Sequence, residues 1–317
     1  MKNRKDYEER IPKNLDWFQI APQADGNYAA EDLAKMGDVD ALILSHEPVH
    51  DQLLEACPKV KIIQRTGVGY NTVDLEAAAR RNIPVCNLGD VNKDALGEHG
   101  MALMLALGRK LVEIHNLTAA VNWNAARALC DFTYELQGRS LGILGFGKSG
   151  YELARRAKVF GMNILYHSRS QVDARLTEAV EARSRSFEEL FRESDFLSVN
   201  VSLNASTEGL VDAKALDLMK PSAYLINLAR GGIVDERALA DRLNSGKLAG
   251  AGMDVFSVEP ITPDNPLLKA KNVVLTAHTA GTTKECTDRE IGWAVENVRR
   301  YLEGGETPRW IVNGVQV

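Results

Sequence analysis

The chain has 317 residues, longer than one hydrophobic core usually grows, so two domains are expected. Apolar residues make up 45% and charged residues 26%, the balance of an ordinary soluble globular protein. A formal net charge of −5 gives no electrostatic basis for a nucleic-acid partner or for an anionic membrane surface.

The chain opens on MKNRKDYEERIPKN, which is charged and has no apolar run behind it, so it is not read as a secretory signal. Ala41–Leu44 (ALIL) and Val60–Gln64 (VKIIQ) are expected as buried parallel strands, with a helix over Asp51–Ala56 between them, closed by Pro58. Asp74–Arg81 is expected as a further helix and Ile83–Cys86 as a further strand. This βα repetition predicts a first α/β domain. A long helix is expected from about Gly97–Glu98 to Val121, long enough to bridge two domains, with apolar positions at Met101, Leu105 and Leu111. Its most apolar stretch, Met101–Leu107, is far too short to span a bilayer. Asn122–Gln137 is expected to be irregular, anchored by Trp123 and Phe132.

From Ser140 a second α/β unit is expected: strand 140–144, helix 149–159, strand 163–166, helix 187–192 and strand 196–201. Three further strand-like runs follow, Ala223–Ala229, Ala249–Phe256 and Asn272–Ala277, and a helix over about Lys284–Leu302 is expected to return to the first domain. The cysteines, Cys57, Cys86, Cys130 and Cys286, lie far apart with no CxxC pair. Neither a metal site nor a disulfide framework is expected on that spacing, and the cytoplasm is the expected compartment.

The last three strand-like runs lead into Arg230, Glu259 and His278. In an open parallel sheet ligands bind outside the carboxyl ends of the strands, so a guanidinium, a carboxylate and an imidazole are expected to converge. The trio suits clamping a substrate carboxylate and moving a proton on or off a neighbouring oxygen. Taken singly, each has a duller reading: a core histidine, a turn carboxylate, a loop cation.

The run 141–150, LGILGFGKSG, takes a strand into a GxGxxG loop and an amphipathic helix. Gly145 permits the tight turn, Gly147 lets backbone approach a pyrophosphate, and Gly150 lets helix pack on strand. With Phe146, Lys148 and Ser149 these form the expected phosphate cradle at a helix N-terminus. An NAD site should place Asp or Glu at the end of the next strand. Here the residues are His167, Ser168, Arg169 and Ser170, with no carboxylate before Asp173. Arg169 and the two hydroxyls suit a 2′-phosphate, so NADP(H) is the expected cofactor and NAD the alternative.

At this point the chain resembles the D-isomer-specific 2-hydroxyacid dehydrogenases over nearly its whole length, including relatives of the glyoxylate/hydroxypyruvate reductase and phosphoglycerate dehydrogenase kinds. The most specific stretch is 219–260, MKPSAYLINLARGGIVDERALADRLNSGKLAGAGMDVFSVEP. It is supported by 67–74 (GVGYNTVD), Glu98-His99, the glycine loop and 278–281 (HTAG). The resemblance implies an α/β fold of two Rossmann-like doubly wound parallel-sheet domains with a cleft between them. It divides the chain into a substrate-binding domain over 1–98 and 285–317, and a dinucleotide-binding domain over 99–284. Arg230 would bind the substrate carboxylate and polarise the carbonyl. His278 would be the general acid in reduction and the base in oxidation, and Glu259 would hold it and favour its protonated form. Val68 and Gly69 would offer backbone N–H groups to the substrate. Thr207, Ala229, Asp254 and Gly281 would contact the cofactor, Asp254 at the nicotinamide carboxamide. A homodimer is the implied assembly.

Ala277 stands where the family often has Pro before the histidine, and Ser202 where Pro is common. Neither change removes a chemical group. The expected activity is hydride transfer between NADP(H) and a small 2-keto or 2-hydroxy acid. The alternatives are an NAD-dependent dehydrogenase of another 2-hydroxy acid and a dinucleotide-sensing, corepressor-like binding protein. A formate dehydrogenase is disfavoured, since relatives of that type carry Gln where Glu259 stands.

Overall fold

The structure, a computed structural model, describes residues 11, 13 and 15–317. The charged stretch at the chain start lies outside that description apart from residues 11 and 13. The chain divides into two compact units, one of 1–92 with 284–317 and one of 93–283.

The first unit is built on three parallel strands, β1 (Ala41–Leu44), β2 (Ile62–Arg65) and β3 (Val85–Cys86), in the order β1-β2-β3. Residues Ala41, Leu42, Ile43 and Leu44 sit opposite Ile62, Ile63, Gln64 and Arg65. Every β2 residue is buried, as expected for a strand covered on both faces. Helix Leu75–Arg80 starts on Asp74, whose side chain accepts from Ala77 N. The helix Lys284–Gly304 supplies Val298 to a cluster with Ile62 and Cys86, and Asn297 Nδ2 donates to Gln64 Oε1 at 2.6 Å. The last segment adds an antiparallel bridge from Ile311 to Cys86.

The second unit carries seven strands: β4 (Ser140–Leu144), β5 (Asn163–His167), β6 (Arg183–Ser184), β7 (Phe196–Val199), β8 (Tyr224–Asn227), β9 (Gly250–Met253) and β10 (Val273–Leu275). All pair in parallel, in the order β10-β9-β8-β7-β4-β5-β6. The order runs one way from β4 to β6 and reverses at β7, so β4 and β7 flank the switch point where such sheets bind ligands. Leu153, Ala154 and Ala157 of helix Lys148–Val159 join Met101 and Met104 of helix Lys93–Gly108 in one apolar layer. Leu190, Phe191, Leu239 and Leu243 belong to a second apolar layer. No helix among the described residues is long and apolar enough to cross a membrane.

Three expectations need correction. The single helix expected to about Val121 is two, Lys93–Gly108 and Leu111–Ala119, broken where Lys110 takes the left-handed conformation at φ 50. Asn122–Gln137 is not wholly irregular: it holds a helix over Trp123–Ala128 and a 3-10 turn over Leu129–Phe132. Its expected anchors Trp123 and Phe132 are 66% and 60% exposed, because of this helix only Ala126 is buried and the 3-10 turn buries nothing. The helix Glu236–Ser245 was not anticipated, although Asp235 caps its start through Ala238 N and the left-handed Gly246 closes it.

Candidate active site

β4 ends at Leu144 and feeds the glycine loop into helix Lys148–Val159. Gly145 sits at φ +96, and a Cβ there would lie 2.7 Å from Val201 Cγ1. A Cβ on Gly150 would lie 2.7 Å from Gly145 O, so only glycine lets the helix start against the strand. Gly147 differs: a Cβ there would meet no protein atom within 4 Å. Its missing side chain leaves open space in front of a helix N-terminus that has no side-chain cap. Open space, N–H donors and the positive end of the helix dipole together fit a dinucleotide pyrophosphate. Phe146 is turned inward onto Tyr166, Ser149 is half-buried and Lys148 is exposed.

His167 closes β5. Its Nδ1 donates to Arg185 O at 3.0 Å, which assigns the hydrogen to Nδ1 and leaves Nε2 as the second polar atom. Ser168 is half-buried; Arg169 and Ser170 are exposed. Arg169 Nη1 donates to Ser206 Oγ at 2.6 Å, tying the loop after β5 to the loop after β7. Asp173, the first carboxylate after β5, pairs with Arg175 at 2.7 Å. Thr207 is buried; its hydroxyl donates to Ser202 O at 2.7 Å and accepts from Asn204 N at 2.9 Å, closing the 202–207 loop.

Arg230, Glu259 and His278 follow the carboxyl ends of β8, β9 and β10, three neighbouring strands. Buried Asn227 secures the first loop: its Nδ2 donates to Arg230 O at 3.0 Å and its Oδ1 accepts from Ala229 N at 3.1 Å. Arg230 Nη1 also donates to Ala229 O at 2.7 Å. At Gly231 any side chain would collide with backbone, since a Cβ would fall 1.8 Å from the Phe256 carbonyl carbon. That contact presses the Arg230 loop against the segment leading to Glu259. Burial lowers the pKa of the Arg230 guanidinium, and the nearby Glu259 carboxylate opposes the shift.

Glu259 is held at both oxygens. Oε1 accepts from Phe256 N at 2.9 Å, and Oε2 accepts from His278 Nδ1 at 2.6 Å. His278 therefore keeps its hydrogen on Nδ1, which leaves Nε2 as its second polar atom. Both side chains are about a third exposed, at 37% and 35%, so the pair is reachable by a ligand. His278 stands at φ 52, a conformation uncommon for a residue other than glycine. Asp254 is buried and spans that segment: its O accepts from His278 N at 2.7 Å, and its carboxylate from Thr279 N and Ala280 N, each at 2.9 Å. Gly281 follows directly.

In the other unit, the loop after β2 carries Val68 and Gly69. Its carbonyls are drawn inward, Gly67 O by Leu88 N, Val68 O by Asn87 Nδ2 and Gly69 O by Arg65 Nε. Among the described residues neither Val68 N nor Gly69 N has an acceptor, and successive N–H groups of this kind suit an anion. Arg65 is buried beneath this loop and braces it.

Residues 101–280, more than half of the chain, match the family described as D-isomer specific 2-hydroxyacid dehydrogenase, NAD binding domain. The chain belongs to this family. As a member of the D-isomer-specific 2-hydroxyacid dehydrogenases it is an oxidoreductase with a nicotinamide dinucleotide as cofactor. It is 41% identical over 286 residues to a glyoxylate reductase of Thermococcus litoralis, covering 89% of this chain and 86% of that one. It is 38% identical over 284 residues to a glyoxylate reductase of Korarchaeum cryptofilum, covering 89% and 85%. Among solved structures it resembles the holo form of Rhodotorula graminis D-mandelate dehydrogenase, with a TM-score of 0.85, 27% identity, and 90% and 88% of the two chains covered.

Asn227 and Gly231 shape this dehydrogenase site and lie inside the stretch 219–260, but the sequence reading gives neither a role of its own. The cue for Asn227 is that a strand-terminal Asn often binds its own downstream backbone.

Proposed function

We propose that this dehydrogenase is an NADP(H)-dependent reductase of small 2-keto acids of the glyoxylate or hydroxypyruvate kind. The observation that carries the reading is the 2.6 Å His278–Glu259 pair, with Arg230 close enough to feel the Glu259 charge. Nicotinamide, when bound, supplies the hydride. His278 Nε2 gives its proton to the carbonyl oxygen as negative charge builds there, and takes it back in the oxidative direction. Glu259 accepts from Nδ1 and holds the ring orientation and tautomer. Arg230 offers a planar fork to the substrate carboxylate. We assign the N–H groups of Val68 and Gly69 to the same substrate class. Thr207, Ala229, Asp254 and Gly281 are assigned to the cofactor, with residues 93–283 as the dinucleotide-binding unit. The small-acid assignment rests on the relatives that are 41% and 38% identical, both glyoxylate reductases.

The NADP(H) assignment is supported by the loop after β5, where His167, Ser168, Arg169 and Ser170 stand without a carboxylate to repel a 2′-phosphate. The expected result is a higher kcat/KM with NADPH than with NADH. His167→Asp combined with Arg169→Ala should reverse the order, since one lost charge-assisted hydrogen bond is worth roughly ten- to a hundredfold. A wild-type preference for NADH would make this an NAD-dependent dehydrogenase. Absence of turnover across a panel of 2-keto acids with both cofactors would point instead to a dinucleotide-sensing binding protein.

We further propose a homodimer. Val121, Trp123, Phe132 and Leu111 are exposed at 90%, 66%, 60% and 59%, and helix Leu111–Ala119 buries none of its residues. Such a concentration of exposed apolar side chains marks an association surface. Sedimentation should show a dimer, converted to monomer by Trp123→Glu with Phe132→Glu. A wild-type monomer at micromolar concentration would refute the assembly.

A further inference from the structure

His99, on helix Lys93–Gly108, lies with Nε2 3.0 Å from Thr276 Oγ1 and 3.7 Å from Asp254 Oδ1. Thr276 Oγ1 is itself 2.6 Å from Asp254 Oδ1. The direction of these bonds follows from chemistry. An ionised carboxylate only accepts, so the Thr276 hydroxyl donates to Asp254, and its oxygen is left to accept from His99 Nε2–H. Downstream, the Asp254 carboxylate accepts from the backbone N–H groups of Thr279 and Ala280, the two residues after His278, while its main-chain carbonyl accepts from His278 N. Those bonds hold the left-handed His278, whose φ of 52 is not its intrinsic preference. Asp254 has a buried side chain, 1% exposed, so its orientation is set by these partners and not by solvent.

We propose that His99 is a positioning residue for His278: through the Thr276 hydroxyl it orients the Asp254 carboxylate and thereby the backbone that presents the catalytic imidazole. The inference rests on the catalytic reading of His278.

The experiment compares His99→Leu, Thr276→Val, their combination and His99→Gln, whose side-chain amide N–H can replace Nε2–H. At saturating cofactor and keto acid, each single substitution is expected to lower kcat about tenfold, the worth of one hydrogen bond in a buried network. The combined variant should be no slower than either single one, because the two residues act along one path. His99→Gln should restore most of the rate. Hydrogen exchange in the peptide spanning 276–283 of the cofactor-free protein should quicken in His99→Leu and recover in His99→Gln, which a general loss of stability would not produce. Parent-like exchange in His99→Leu, additive losses, or failure of His99→Gln to rescue would each overturn the relay. Faster exchange with unchanged kcat would overturn its link to catalysis, whereas loss of the catalytic reading itself would show as full turnover in His278→Gln.

Discussion

His278→Gln is expected to lower kcat about 10²- to 10⁴-fold, the usual worth of a positioned general acid, while the dissociation constant for cofactor stays close to the parent value. Glutamine can occupy the space and still bond Glu259, but its amide cannot deliver a proton to the carbonyl oxygen. Cofactor binding is expected to be unaffected because the proposed phosphate cradle, Gly145, Gly147 and the start of helix Lys148–Val159, is a separate element. Stopped-flow reduction with cofactor titration separates the two quantities. A variant that keeps most of its turnover would remove His278 from the mechanism and leave its 2.6 Å bond to Glu259 a structural one.

Arg230→Lys should raise KM for the keto acid and lower kcat together, each by roughly ten- to a hundredfold, although the charge is conserved. The guanidinium binds a carboxylate through two parallel N–H groups and so fixes its plane, while an ammonium binds as a point charge and leaves the substrate free to rotate. Orientation matters in the chemical step as well as in binding, because the carbonyl must face both hydride donor and His278. Arg230 also donates to Ala229 O at 2.7 Å, so a shorter side chain loosens its own loop. Steady-state kinetics at saturating cofactor gives both constants. Parent kinetics would place the substrate carboxylate elsewhere. Arg65 is a poor replacement, since it is buried and committed through Nε to Gly69 O.

Much of the fold and of the candidate site is legible before any coordinates. The βα alternation, the glycine loop and the residues at the three late strand ends are local patterns, readable because strand period, turn chemistry and motif spacing all lie within a few residues of one another. The expected edges of strands such as β8 and β10 were longer than those found, since apolar character continues past the last ladder bond into the loops, as at Leu228 and Ala277. The exposure of Trp123 and Phe132 was not legible at all. An apolar residue carries the same signal whether its partner surface lies in its own core or elsewhere, and only burial tells them apart.

By itself the sequence determined the chemistry available to this protein: a dinucleotide loop, a guanidinium, a carboxylate and an imidazole, each at a strand's end, and a loop after β5 without an acid. Tertiary structure alone decided how those groups are held. The reversal of strand order at β4 and β7 sets which loops become neighbours. Gly231 meets the Phe256 backbone, Asn227 fastens Arg230, and Asp254 fastens His278 while Thr276 and His99 reach it from other elements. These contacts join residues separated along the chain, and no residue's local preference encodes which distant backbone it will touch. They arise when the parallel sheet assembles and brings the ends of β8, β9 and β10 side by side.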